Sequence, residues 1–367
     1  MGNRFEQRAA LTYTVSAASC GRDQTLALLD NGKAIGWGGE GSGRLVAATR
    51  DLCTAWGAPA RPVEVDLHAR LLALSAGHGV TLGVIEGDRI AMWGRCDAGL
   101  AAGGEAMDTP IARRLPGIAS VQTIAAGEFQ FAAIDHAGTA CTWGFAVDGS
   151  LGRASSGLDV APAHLSGLPP LRSIAIGQGF MLAATREGAI HSWGDNAAGQ
   201  LGLGHLRGAS VPQPLRIAAR VDAIAAGATH ALALSERGEV FAWGSNHLGQ
   251  LGIDNVAYAT TPHSIALPEP MRTIAAGMHY SLALSRSGAV YAWGWNGLGQ
   301  LASGDADNRR RPQRVSGLAN VRAIAAGQAH AVALAADHLY GWGSNAAGQL
   351  GAASRVQRHP FPLLAVS

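Results

Sequence analysis

The sequence predicts an all-β fold, a seven-bladed β-propeller with four-stranded antiparallel blades. Three observations carry that expectation. A glycine closing an apolar run recurs at Gly77, Gly127, Gly177, Gly227, Gly277 and Gly327, in steps of 50 residues, and Gly21 supplies a seventh copy. A Trp-Gly pair follows each glycine, at Trp37, Trp93, Trp143, Trp193, Trp243, Trp293 and Trp342. Between these marks the chain reads as short strands punctuated by glycine turns. Seven copies at one period of this length indicate a repeat architecture.

The copy Ile224–Gly252, IAAGATHALALSERGEVFAWGSNHLGQLG, shows each element in order. Val221–Ala226 is a first apolar strand ending at Gly227. Its Ala-Ala-Gly run suits the innermost position, where blades converge and side chains must be small. Residues 230–234, HALAL, form a second strand. Glu236-Arg237-Gly238 is a turn, with glycine available for the positive φ of a tight hairpin. Residues 239–243, EVFAW, form a third strand. There Val240 and Ala242 point one way while Phe241 and Trp243 point the other. Both faces are therefore apolar, and such a sheet must lie between two neighbours. After the loop GSNHLGQLG, a weaker fourth strand begins around Pro262, with proline at its start where no ladder donor is lost. Seven such sheets, each packed between two others, describe a closed ring that also protects strand edges.

The expected layout is a lead-in over residues 1–14 and one propeller over 15–367. Repeat cores lie near 15–45, 71–101, 121–152, 171–202, 221–252, 271–302 and 321–351. Blade one adds an excursion, Val46–Ala60, containing Cys53 and Trp56. Blade two has the divergent loop GRCDAGLAAGGEAMDTP, and blade three carries GFAVDGSLG. Blades four to seven hold Asn196, Asn246, Asn296 and Asn345 at one loop position, each followed by GQL. Asparagine there is expected to bond its own backbone and fix the loop. The last strand, residues 359–367, either completes blade seven or pairs with blade one.

Composition bounds the function. The chain has 367 residues, 48% hydrophobic but only 6% aromatic, and a net charge of +2. That balance argues against nucleic acid or an acidic membrane surface as partner. No apolar run approaches a membrane span. Leu11–Cys20 has a faint likeness to a lipoprotein signal, but its core is short and polar. It also aligns as a repeat strand, with Val15 six residues before Gly21. Cys20, Cys53, Cys96 and Cys141 show neither paired nor metal-like spacing, so the default is a reduced, cytoplasmic protein, with a secreted effector as the alternative. No phosphate loop, dinucleotide fingerprint, HExxH or EF-hand sequence occurs, and no cofactor or metal is expected. Gly99–Gly104 is glycine-rich but falls in a blade loop. His230 and His330 share a repeat position with Gln24, Val80, Gln130, Phe180 and Tyr280. A role met by such different side chains is packing with an optional hydrogen bond.

The pattern AAGxxHxLALxxxGxVxxWGxNxxGQLG resembles the repeat of the regulator of chromosome condensation family, and the resemblance covers all seven units. It implies a seven-bladed propeller. The family's roles include nucleotide exchange on the small GTPase Ran with nucleosome binding, ultraviolet-B sensing in plants, β-lactamase inhibition, and bacterial effectors or scaffolds, so fold does not give function. The plant photoreceptor has tryptophan directly after the repeat glycine. Here those positions are Arg22, His78, Glu128, Gln178, Ala228, Met278 and Gln328, which argues against photoreception by that mechanism. The exchange factor's wedge-like insertion has no counterpart in sequence style; Val46–Ala60 is the only extended insertion.

Individual function is expected where the repeat leaves residues free. Residues after each repeat glycine ring one mouth, and by strand direction the GxNxxGQLG loops emerge on the same face. The charged and aromatic members are Arg22, Asp23, His78, Glu128, Phe129 and His279, in blades one to three and six, with Met278 and Trp295 beside them. Blades four, five and seven read as bland. The expected function is a non-catalytic protein-interaction module that presents this mouth to a protein partner. One alternative is a guanine-nucleotide exchange factor for a small GTPase. The other is a small-ligand or enzymatic propeller in which His78, Glu128 and His279 converge as acid–base groups. The run Asp307–Pro312 with Arg314 is the densest basic patch. It reads as edge protection, or as a contact for phosphate or an acidic partner. The oligomeric state is not legible.

Overall fold

The computed structural model describes residues 13–38, 62–65, 67–87, 89–94, 111–113, 120–155 and 157–366. They form seven four-stranded antiparallel sheets, each taking consecutive strands of the chain in spatial order. Blade five comprises Val221–Ala226, His230–Ser235, Val240–Ser245 and Tyr258–Ser264. No helix occurs among the described residues, so none is long and apolar enough to cross a membrane. The lead-in through residue 12, the excursion with Cys53 and Trp56, and the blade-two loop with Cys96 and Gly99–Gly104 lie outside the described residues.

The fourth strand of blade five begins at Tyr258, four residues before the expected start at Pro262. Proline is tolerated inside this strand because the ladder skips it. Ala242 pairs with His263 and Gly244 with Ala259, with a bulge between. Equivalent prolines stand in the outer strands at Pro162, Pro212, Pro312 and Pro360.

The second strand of every blade is buried throughout, as a sheet sandwiched between neighbours requires. All seven repeat tryptophans are at most 2% exposed. Four of them also tie blades together. Trp193, Trp243, Trp293 and Trp342 each donate Nε1–H, at 2.9 Å, to the carbonyl of Ser150, Gln200, Gln250 or Gln300 in the preceding blade. The GQL segment therefore docks onto the next blade's tryptophan. Asparagine holds that segment in shape, as expected. Asn246 is fully buried, donates to Ile253 O and Val256 O, and accepts from Leu251 N. Asn196, Asn296 and Asn345 repeat the arrangement.

Two glycines per unit answer to close approach. A Cβ at Gly227 would lie 2.2 Å from His230 Cε1 and 2.6 Å from Gly277 O of the next blade. Gly244, in the Trp-Gly pair, has φ +97°, and its Cβ would lie 2.5 Å from Thr229 O.

The fourth-position side chains are buried, and the polar ones are hydrogen-bonded. Gln24 Nε2 donates to Thr81 Oγ1 of blade two at 2.8 Å. His230 Nε2 lies 3.0 Å from Ser281 Oγ of blade six, and His330 Nε2 lies 3.0 Å from Thr25 Oγ1 of blade one. The packing role read from the sequence is thus also an inter-blade tie.

The ring closes without exchange of a strand. The last strand is Val356–Ala365, and it completes blade seven by pairing with His338–Ser344. Of the two expected alternatives, pairing with blade one is reduced to a single parallel bridge, Tyr13 with Val366. The seam is otherwise an ordinary blade junction. Val15, Ile35 and Trp37 of blade one share a buried cluster with Val332, Leu339 and Leu364 of blade seven.

Candidate functional site

The first strands surround a channel of about 350 Å³ on the ring axis. Its wall is built from Ala76, Ala126, Ala226, Ala276 and Ala326 with the repeat glycines, so convergence has selected small side chains. Cys20 and Ile176 are the larger exceptions. Cys20 is a free thiol, and burial pushes it up to about 12 against a hydrogen bond from Thr25. It therefore stays protonated.

Backbone bonds knit the rim of the channel from blade to blade. Arg22 N donates to Gly77 O, His78 N to Gly127 O, Gln178 N to Ala228 O, Ala228 N to Met278 O, Met278 N to Gln328 O, and Gln328 N to Gly21 O. The residues after the repeat glycines are thus held by their main chain from blade one to blade three and from blade four round to blade one. Their side chains are left to project at the mouth. The loops after the third strands lie on the same face, as strand direction predicts. Phe145 N bonds Phe129 O at 2.9 Å, and Trp295 N bonds His279 O at 2.9 Å.

The predicted residues of blades one to three come together. Arg22 Nη1 lies 2.5 Å from His78 Nε2, and Arg22 Nε lies 3.2 Å from Asp23 Oδ2. His78 Nδ1 lies 3.6 Å from Glu128 Oε1. Glu128 Oε2 accepts from Gln178 Nε2 at 3.1 Å. Side chains thus link four consecutive blades across the mouth. The His78 ring stacks beside Phe129, with centroids 6.5 Å apart and planes 20° apart. Phe129 stays 43% exposed.

On blade six, His279 meets Trp295 edge to face at 6.3 Å. Burial lowers the His279 pKa below that of a free imidazole. Trp295 is half-buried and turns back over its own loop, where a Cβ on Gly297 would lie 2.7 Å from its Nε1. Met278 Sδ receives Gln328 Nε2 of blade seven at 3.1 Å. His279 sits on blade six, with blades seven and one between it and His78. The acid–base trio expected under the enzymatic alternative is therefore split between two clusters, His78 with Glu128 and His279 with Trp295. Among the described residues, no group of three or more His, Cys, Asp or Glu side chains could hold a metal.

Three contributors escaped the sequence reading. Gln178 and Gln328 belong to the mouth network, although blades four and seven read as bland. Phe145 is the third. It occupies the repeat position of Trp295, just as Phe129 occupies that of His279, and it meets Phe129 edge to face at 6.2 Å. Blades three and six therefore carry the same aromatic pair at equivalent places. Comparing residues two beyond each repeat tryptophan (Phe145, Asp195, Ser245, Trp295, Ser344) would have found it. Blade three also lacks the loop asparagine. Ala146 stands there, its N–H bonds Gly157 O at 2.6 Å, and Val147 beside it is 45% exposed.

Seven equivalent sheets around an axial channel, with an invariant frame and variable mouth loops, define a seven-bladed repeat propeller. A family model described as RCC1-like domain matches residues 160–365, more than half of the chain. The chain belongs to that RCC1-like family. Its fold is similar to that of human WBSCR16, with TM-score 0.79 and 23% identity over 89% of this chain and 87% of the other. It is also similar to Prp20p from Saccharomyces cerevisiae, with TM-score 0.75 and 23% identity over 85% and 80% of the two chains. The structure of Kap60 bound to yeast RCC1 (Prp20) matches at TM-score 0.75 and 22% identity, over 99% and 89%. At these identities the likeness is one of fold. No curated protein matches the sequence significantly.

Proposed function

We propose that the propeller is a non-catalytic protein-interaction module and that a protein partner covers the mouth over blades one to three and six. The observation that carries this reading is the pair of aromatic sites at equivalent positions on blades three and six. The Arg22–His78–Glu128–Gln178 network runs beside the blade-three pair, over blades one to four, on a rim whose main-chain bonds do not depend on those side chains. Aromatic and arginine side chains on a rigid frame are the usual anchors of protein interfaces. A cytoplasmic location is part of the proposal, supported by the free thiols of Cys20 and Cys141.

Purification of partners from the native cell, followed by mass spectrometry, tests the reading. Arg22→Glu, Glu128→Arg and Phe129→Asp are each expected to weaken capture of the principal partner by about tenfold or more, the effect of losing roughly 1.4 kcal/mol at an interface anchor. Thermal melting should stay unchanged, since these side chains lie outside the blade packing. Capture unaffected by all three would remove the mouth from consideration.

The finer reading is a guanine-nucleotide exchange factor, supported by the likeness to Prp20p, which was studied for its binding to Gsp1p and histones. It predicts faster release of labelled GDP from a member of a panel of small GTPases. Release unchanged for every member would leave the interaction module without this activity.

A further inference from the structure

The outer strand of blade six, Arg309–Arg314, reads RRRPQR. The sequence offered two accounts of it, protection of a sheet edge or contact with an anion. The repeat separates them. The outer strands of blades three to seven each carry a proline that blunts the edge, at Pro162, Pro212, Pro262, Pro312 and Pro360. The equivalent strands of blades four and five, ASVPQPL and YATTPHS, are edges of the same kind and carry no arginine. Neither the fold nor edge protection therefore calls for four arginines in six residues.

The four do different work. Arg309 is spent on its own loop, where it bonds Asp305 Oδ2 at 2.5 Å, Gln313 Oε1 and Asp307 O. Arg311 Nε reaches Asp254 Oδ2 of blade five at 2.6 Å. Arg310 and Arg314 are exposed, and the charge of Arg314 helps to lower the Glu269 pKa. The basic surface then continues onto blade seven. The loop that leads into Arg309 packs on Arg358, through Gly304 N to Arg358 O at 3.1 Å, and His359 follows. Arg310 and Arg314 thus stand on the outer strand of blade six and Arg358 on that of blade seven, with no acid bonded to them among the described residues.

We propose that this rim, formed by Arg310 and Arg314 of blade six with Arg358 of blade seven, is a second docking surface that binds an acidic protein segment. Arginine forks suit carboxylates. Asp254, Asp305, Asp307 and Glu269 interrupt the positive field, and they disfavour a continuous phosphate backbone more than spaced carboxylates. The chain's net charge of +2 points the same way. The surface lies on the outermost strands of the ring.

The experiment uses the full chain and a fluorescein-labelled ten-residue poly-glutamate peptide at low salt. Binding is expected to weaken as salt rises. The triple variant Arg310→Glu, Arg314→Glu, Arg358→Glu should reduce affinity by about tenfold or more, since exposed ion pairs add modestly one by one. Arg22→Glu at the mouth should leave peptide binding unchanged. Melting temperature and the circular dichroism spectrum should match those of the unaltered chain, because the loop on Arg358 is held by the backbone carbonyl, which the substitution keeps. Absence of peptide binding, or binding indifferent to the triple variant, overturns the proposal. Tighter binding of duplex DNA than of poly-glutamate at equal salt overturns the acidic-protein class in favour of nucleic acid. Loss of peptide binding in Arg22→Glu would assign the acidic ligand to the mouth instead.

Discussion

Replacing Trp243 with alanine is expected to lower stability by about 3–5 kcal/mol, the range for deleting a buried tryptophan. The side chain is fully buried between blades four and five. Its ring fills the space against Gly202, where a Cβ would lie 2.9 Å from Trp243 Cδ1. Its Nε1–H is the donor that satisfies Gln200 O. Removal therefore empties a cavity and strips the tie that seats the blade-four GQL segment. The check is the midpoint of denaturant unfolding, followed by circular dichroism. Trp295→Ala is the control. That ring is half-buried and rests on its own loop, so the loss there should stay below about 1 kcal/mol. Equal losses at both positions would mean that inter-blade packing of the repeat tryptophan is not what holds the ring.

Acidification is the second large effect. Burial brings His230 down to about 3, with His279 adding to the shift, and brings His330 down to about 4 against the opposing influence of Asp23 and the Gln24 backbone. Both rings are neutral in the fold. Ser281 Oγ donates to Gln250 O, so His230 Nε2 carries the proton and donates to Ser281. Among the described residues, Nδ1 of each histidine has no hydrogen-bond partner, and a second proton on His230 would be buried there without an acceptor. The sign follows directly. The unfolded chain takes up protons near 6.5, whereas the folded chain resists until about 3 to 4. Stability contributed by the neutral rings is complete above 6.5 and is lost as pH falls below it. The slope is about 1.4 kcal/mol per pH unit for each histidine while only the unfolded form is charged.

The repeat supplies the matching variant. Gln24 occupies the same position in blade one and makes the same inter-blade bond to Thr81. His330→Gln should keep a bond to Thr25 while removing one titrating group. Unfolding midpoints measured from pH 7.5 down to about 4.5 should therefore fall less steeply in His330→Gln than in the unaltered chain. Parallel curves would show that acid acts elsewhere.

Much of this was legible because the repeat aligns itself. Seven copies in one register expose which positions tolerate only Gly or Trp, and those positions build the frame. The Asn-and-GQL loop was readable for the same reason. Two kinds of feature were not. The outer strands are weakly patterned, because one edge is open to water and a bulge breaks the ladder, so Pro262 looked like a beginning rather than an interior residue. The mouth network was read from charge and aromaticity alone. Gln178 and Gln328 enter it through reach, since an amide on a long side chain spans to the next blade, and no single copy reveals that distance. Phe145 was missed because it stood inside the divergent loop GFAVDGSLG, and its equivalence to Trp295 was not drawn.

The seam between blades seven and one has a kinetic meaning. Each of the other six junctions joins blades that follow one another in the chain, as in the tie from His230 to Ser281, 51 residues apart. The tie from His330 to Thr25 spans 305 residues. Contacts of such separation form late, after the loop-closure entropy of everything between has been met. Blade one must therefore wait, with the flank built from Ala27, Ile35 and Trp37 exposed, until the seventh blade arrives to cover it. In that interval the half-made arc is a sticky-ended object, and any neighbouring arc offers the same complementary surface. Ring closure within one chain competes with joining of two, and dilution during refolding should favour the closed ring.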